Sequence, residues 1–134
     1  MSDLLHREVT EQIIKAFYKV YNSLGFGFLE KVYENALVLE LQKRGFRVEQ
    51  QKRLHVYYEG LVIGEYFADL IVEELIILEL KAAETLHPAH EAQLMNYLKA
   101  TEIEVGLLLN FGVKPEFKRK VFTNSRKQFR GQLG

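Results

Sequence analysis

No cysteine occurs among the 134 residues, which excludes disulfides, thiolate nucleophiles and cysteine-ligated metals. Tryptophan is absent as well, and two prolines are too few for a proline-rich linker. No apolar run reaches the roughly 18 residues of a transmembrane helix. The N-terminus, Met1-Ser2-Asp3-Leu4-Leu5-His6-Arg7, lacks a basic segment followed by an apolar stretch. A secretory signal is therefore not expected, and a cytoplasmic location is. Repeats and low-complexity stretches are missing too. What remains is 48% hydrophobic and 27% charged, an ordinary globular mix, at a length that suits one domain over residues 1–134.

The formal net charge is zero, with 18 basic and 18 acidic side chains. The two signs are unevenly spread. Residues 114–134 carry Lys114, Lys118, Arg119, Lys120, Arg126, Lys127 and Arg130 against Glu116 alone, a net +6 on a body of −6. A basic strand and tail on an acidic body suits an anionic partner, though a solvated face has the same composition.

Apolar residues at helical spacing predict a helix over 4–24, capped by Ser2 or Asp3 and stopped by Gly25. A second helix is expected over 28–44, apolar on most sides and well buried, ending at Gly45. Residues 47–58 and 61–72 read as strands around Glu59-Gly60, and 75–82 as a central strand buried on both faces. Pro88 opens a third helix to about Lys99, 103–110 is a further buried strand, and 117–123 an edge strand. The order ααβββαβ(β) makes an α/β fold: an antiparallel meander, then a parallel βαβ crossover, in one mixed sheet flanked by helices.

Three charged residues stand where strands should be apolar: Asp69 in the second strand, Glu79 and Lys81 in the third. Buried charge is costly unless paired, metal-bound or at the mouth of a cleft. Two carboxylates on adjacent strands offer hard oxygen ligands for Mg²⁺ or Mn²⁺, and a lysine beside them can neutralise charge developing on a phosphate. An ion pair at a strand end accounts for the same residues. The register decides whether the acids meet. A two-residue loop at Glu73-Glu74 would pair Asp69 with Leu78 and turn it away from Glu79, so the metal reading needs an odd-length loop or a bulge. Other chemistries find less support. His87 and His90 are poorly spaced for zinc on one helix face, Gly25-Phe26-Gly27 is too short for a phosphate loop, and no Ser-His-Asp pattern is present.

Asp69, then nine intervening residues, then Glu79-Leu80-Lys81 resembles the PD-(D/E)XK phosphodiesterase superfamily. Gly27-Phe28-Leu29-Glu30-Lys31-Val32-Tyr33 matches the signature of its GxxExxY branch. Gln93-Leu94-Met95-Asn96-Tyr97 matches the QxxxY helix of its RecB-type, exonuclease-like members. Ala68 replaces the proline of the superfamily name. The resemblance, over roughly residues 5–125, implies a restriction-endonuclease-like core and a Mg²⁺- or Mn²⁺-dependent nuclease acting on DNA or RNA. A catalytically silent module binding nucleic acid or protein is the alternative. It implies Asp69, Glu79 and the Leu80 carbonyl as metal ligands, with Glu30 as an additional acid and Lys81 as catalytic lysine. Gln93, Tyr97 and Tyr33 would line the substrate side. Lys118, Arg119 and Lys120 would contact the nucleic-acid backbone. No membrane partner is expected. A homodimer through Leu/Phe-rich helices would present two sites.

Overall fold

The computed structural model describes residues 5–127. Helices α1 (Arg7–Leu24) and α2 (Glu30–Lys43) lead into strands β1 (Val48–Tyr58), β2 (Leu61–Val72) and β3 (Ile76–Lys81). Helix α3 (Pro88–Ala100) crosses to β4 (Val105–Phe111), and β5 (Pro115–Val121) closes the order before a 3₁₀ turn at Asn124–Arg126. The strands lie side by side in sequence order, all antiparallel except β3–β4. The expected mixed sheet with its parallel crossover is thus observed. β5 starts at Pro115, two residues before the expected edge strand, because it pairs with β4 through Phe111↔Pro115. Ser2, Asp3 and Leu4, expected to cap and begin the first helix, lie outside the described residues.

Alternation along the central strands sorts their side chains onto two faces. Leu70, Leu78, Leu107 and Leu109 pack with Ile13, Phe17, Tyr33 and Leu37 of α1 and α2. Ile71, Ile77 and Leu108 point the other way, onto Leu94 and Leu98 of α3. β3 and β4 are therefore apolar on both faces, as expected of a parallel pair. Gly106 lets α3 approach, since a Cβ there would meet the Leu94 side chain at 2.7 Å.

Helix α2 departs from the expectation of burial on most sides. It buries one stripe, Tyr33, Glu34, Leu37, Glu40 and Leu41, and leaves Val32 and Leu39 exposed. The sheet and α1 cover that stripe, Ala36 and Val38 are partly buried beside it, and Val32 and Leu39 face solvent. Glu40 is tied to Lys19 at 3.1 Å and Arg44 at 3.0 Å. The α1 and α2 apolar residues expected to mediate dimerisation are in large part spent on the sheet.

Two features place the site. Beyond Leu70, β2 no longer pairs with β3, so residues 61–69 continue with β1 as a two-stranded ribbon. The turn into β3 also has an odd length. Glu73 and Glu74 hold φ at 54° and 58°, and the Leu75 N–H donates to the Val72 carbonyl at 2.9 Å, closing a two-residue turn. Yet Val72 pairs with Ile76, leaving Leu75 as an extra residue. That residue flips the faces of everything before it on β2.

Candidate active site

Continued by one step, the β2–β3 register sets Asp69 opposite Glu79, and directly opposed residues of an antiparallel pair share a face. The strands part at this step. The Glu79 carboxylate accepts the Asp69 backbone N–H at 3.0 Å, and the Asp69 carboxylate accepts the Leu80 N–H at 2.8 Å. Two side chains thus replace ladder carbonyls and hold the acids against each other.

Burial sets their protonation. Glu79 is 7% exposed. Loss of hydration, then the neighbouring Asp69 charge, pushes its carboxyl up to about 8, with Lys81 opposing. Asp69 is raised as well, chiefly by burial, while the Leu80 N–H and the Gln51 amide pull it down. Tyr66 of β2 stacks on Tyr97 of α3, centroids 3.5 Å apart at 10°. Burial raises both phenols, and each also feels the Glu79 charge. This aromatic pair borders the acids on the α3 side.

Lys81 lies half-buried at the end of β3, and its charge reaches Glu30, Asp69, Glu79 and His90. Glu30 opens α2 as an exposed residue. Partial burial of its carboxyl group raises it, offset by Lys81 and by the Ala82 N–H. Asp69, Glu79, Lys81 and Glu30 therefore share one electrostatic neighbourhood. Among the described residues, however, no group of three or more histidine, aspartate or glutamate side chains is arranged to hold a metal ion. The donor chemistry nonetheless suits a hard cation: two opposed carboxylates, both held above the usual range, gain from any positive charge placed between them.

Gln51 was not legible as a site residue. It lies opposite Asp69 in β1 but drops out of the regular pairing, with φ at 53°. Its amide donates to both oxygens of Glu34, at 3.0 and 3.2 Å, and to Asp69 at 3.3 Å. Glu34, a buried acid of α2, also accepts from Gln50 at 2.6 Å and Lys31 at 3.0 Å. A hydrogen-bond network anchored on Glu34 thereby links α2 to the acid pair. The helical spacing Glu30, Glu34 is a sequence signal for one half of it. Nothing local marks Gln51, because its role comes from its backbone conformation.

The remaining expected residues separate. Tyr33 is fully buried and stacked on Phe111 at 4.4 Å. Its hydroxyl donates to the Gly25 carbonyl at 2.6 Å and accepts the Phe28 N–H at 3.2 Å. It pins the loop before α2 and leaves no face for a substrate. Gln93 is exposed on α3 and hydrogen-bonds Tyr97. Arg119 donates to the Leu5 carbonyl at 2.6 Å, and Lys120 pairs with Glu91 at 2.7 Å. Lys114 and Lys118 are exposed. Lys127 is buried against the Thr101 and Ile103 carbonyls, both at 2.8 Å, and Arg126 lies over the Phe122 ring at 4.5 Å. Arg130 lies outside the described residues. The Nδ1 atoms of His87 and His90 accept the Ala89 and His87 N–H groups, so both imidazoles cap α3.

A mixed sheet with this crossover has counterparts among known proteins. The family model of the PD-(D/E)XK nuclease superfamily matches residues 7–120. The chain belongs to the PD-(D/E)XK nuclease superfamily. The crystal structure of SSO0001 is similar in fold, with a TM-score of 0.56 and 17% identity. The match covers 77% of this chain and 53% of that one, so this superfamily member spans about half of its structural neighbour. No curated protein matches the chain significantly. No helix among the described residues is long and apolar enough to cross a membrane.

Proposed function

We propose that the protein is a Mg²⁺- or Mn²⁺-dependent nuclease of the GxxExxY branch, with the QxxxY helix of RecB-type members, hydrolysing phosphodiester bonds in DNA or RNA. One observation carries the reading: the reciprocal hydrogen bonds that lock Asp69 and Glu79 together beside Lys81. Asp69, Glu79 and the Leu80 carbonyl would hold the ion, with Glu30 approaching from α2. When bound, a divalent cation lowers the pKa of water and neutralises charge on a phosphate.

The chain's own residues supply the rest. Glu79 must release its proton before it can serve as a ligand, which couples ion binding to pH. Lys81 places a fixed positive charge where the phosphate would gain negative charge. Gln51 restrains Asp69 and ties it to Glu34. Tyr66 and Tyr97, stacked on each other, would shield the α3 side of the acids. Exposed Lys114 and Lys118 would contact the nucleic-acid backbone, which confers salt sensitivity without base readout.

A nucleic-acid-binding module without turnover is the second reading. The failure of three acids to gather around one point among the described residues favours it. Cleavage assays on single- and double-stranded DNA and on RNA, with Mg²⁺ or Mn²⁺, separate the two. The nuclease reading expects ion-dependent cutting that Asp69→Ala and Lys81→Ala abolish. Wild type that binds but never cuts shifts the conclusion to the module. Pairing of two copies would present two sites to a duplex, and light scattering reads that mass directly; a monomer removes that part of the reading.

A further inference from the structure

Past the carboxyl ends of β3 and β4, next to Lys81 and Glu30, lies an open cleft of about 300 Å³. It begins where the candidate active site ends. Ala82 follows Lys81, hydrogen-bonds Glu30 through its N–H, and lines the cleft.

Its walls are held in place. On one side, Gly25 and Gly27 take φ values of 72° and 108°, and the Tyr33 hydroxyl pins Gly25 and Phe28. On the other, the Asn110 side chain pairs with both the N–H and the carbonyl of Ala83, each at 2.9 Å. Gly112 runs so close to Ala83 that a Cβ would sit 2.1 Å from its carbonyl oxygen. The Tyr21 hydroxyl reaches the Gly112 and Val113 carbonyls at 2.8 and 2.6 Å.

These fixed walls present apolar surface to solvent. Phe26 is 62% exposed, Phe28 47% and Val113 57%, and all three line the cleft. Phe28 sits edge-on to the Tyr33 ring, centroids 6.0 Å apart, so it contributes binding area at little further entropic cost. Among the described residues, the single charged side chain on the lining is Glu84, a hydrogen-bond acceptor suited to an exocyclic amino group.

We propose that this cleft receives an unpaired nucleobase adjoining the phosphate at the acid pair, stacked on Phe26 and Phe28. The inference rests on the nuclease reading and narrows it. A ligand that offers a flat ring and an adjacent phosphate matches both parts of the site, whereas a base within a duplex is stacked and paired and cannot enter. The substrate class is therefore single-stranded or locally unpaired nucleic acid, of either sugar.

The test is fluorescence anisotropy with short dye-labelled single strands of DNA and RNA, the same strands made abasic, and duplexes, all in EDTA to prevent cutting. Phe26→Ala/Phe28→Ala is expected to weaken intact single strands roughly 5- to 150-fold, the effect of losing about one stacked base. Abasic strands and duplexes should bind the variant and wild type alike. Phe26→Ala alone, which leaves the Phe28–Tyr33 contact untouched, should show part of the loss. Wild-type affinity retained in the double variant overturns the base pocket and leaves the nuclease reading standing. So does a changed oligomeric mass in the variant with unchanged strand affinity, which would assign the cleft to a second copy. If wild type binds no nucleic acid even at low salt, both readings fall.

Discussion

Gln51 holds φ at 53° in the middle of β1, a region that costs a side-chain-bearing residue about 1–2 kcal/mol. Its amide links Glu34 to Asp69, so the strain buys a tie across the site. Gln51→Gly removes the strain and the amide together, whereas Gln51→Ala removes the amide and keeps the strain. Both variants are expected to bind Mn²⁺ more weakly in titration calorimetry, with the alanine variant also the less stable. Equal Mn²⁺ affinity in both and in wild type would show that Gln51 serves the fold alone. Glu79 gives a pH prediction. Its folded value near 8 lies above its ordinary 4.5. The folded state therefore favours the protonated acid, so the stability is complete below about pH 4.5 and is lost as pH rises through 8. Ion-free protein should lose on the order of a few kcal/mol across that window, and Glu79→Gln should flatten the slope in denaturant titrations. Added Mg²⁺ should stabilise wild type most at the alkaline end. Tyr33→Phe, which loses one buried hydroxyl with two partners, should cost about 1–2 kcal/mol.

At the scale of elements, the β2–β3 turn decides whether a site exists. Glu73 and Glu74 both take left-handed conformations. Glu73 still earns its position by accepting the Arg47 N–H at 2.6 Å. Glu74 has only a 4.0 Å approach to Arg47 between exposed side chains, which contributes little. Glu74→Gly should therefore stabilise the protein by about 0.5–1 kcal/mol in a denaturant melt. Deleting Leu75 is a different change. It restores a two-residue loop and slips β2 by one position, turning Asp69 to the face opposite Glu79. That variant should unfold far more readily, because Leu70 and Val72 would leave the α1/α2 core. A deletion variant with wild-type stability and ion binding would refute the register argument. The sequence left two loops open, a two-residue turn that would part the acids and an odd-length loop or bulge that would join them; the two-residue turn's hydrogen bond is present, yet one residue more is accommodated. The choice between them was not legible, because a bulge depends on which pairing the rest of the sheet can support.

For the whole molecule, the +6 segment proves less available than its composition suggests. Arg119 is bound to Leu5, Lys120 to Glu91, and Lys127 to the Thr101 and Ile103 carbonyls. Lys114 and Lys118 remain exposed. Replacing both by alanine should lower the slope of log affinity for nucleic acid against log salt by about 2, equally for all sequences. An unchanged slope would place the phosphate track elsewhere on the surface.

The sequence by itself determined the element types and the ααβββαββ order, since periodicity and strand hydrophobicity are local properties of the chain. It also marked Asp69, Glu79 and Lys81, because charge inside an apolar strand stands out without any coordinates. Only the tertiary structure decided that Asp69 and Glu79 share a face, that Tyr33 is a buried pin, that Gln51 reaches the acids, and that three basic side chains are engaged within the chain. Each of these depends on which residues meet across long separations. That is set by strand register and by competition among packed neighbours, and no window of sequence contains it.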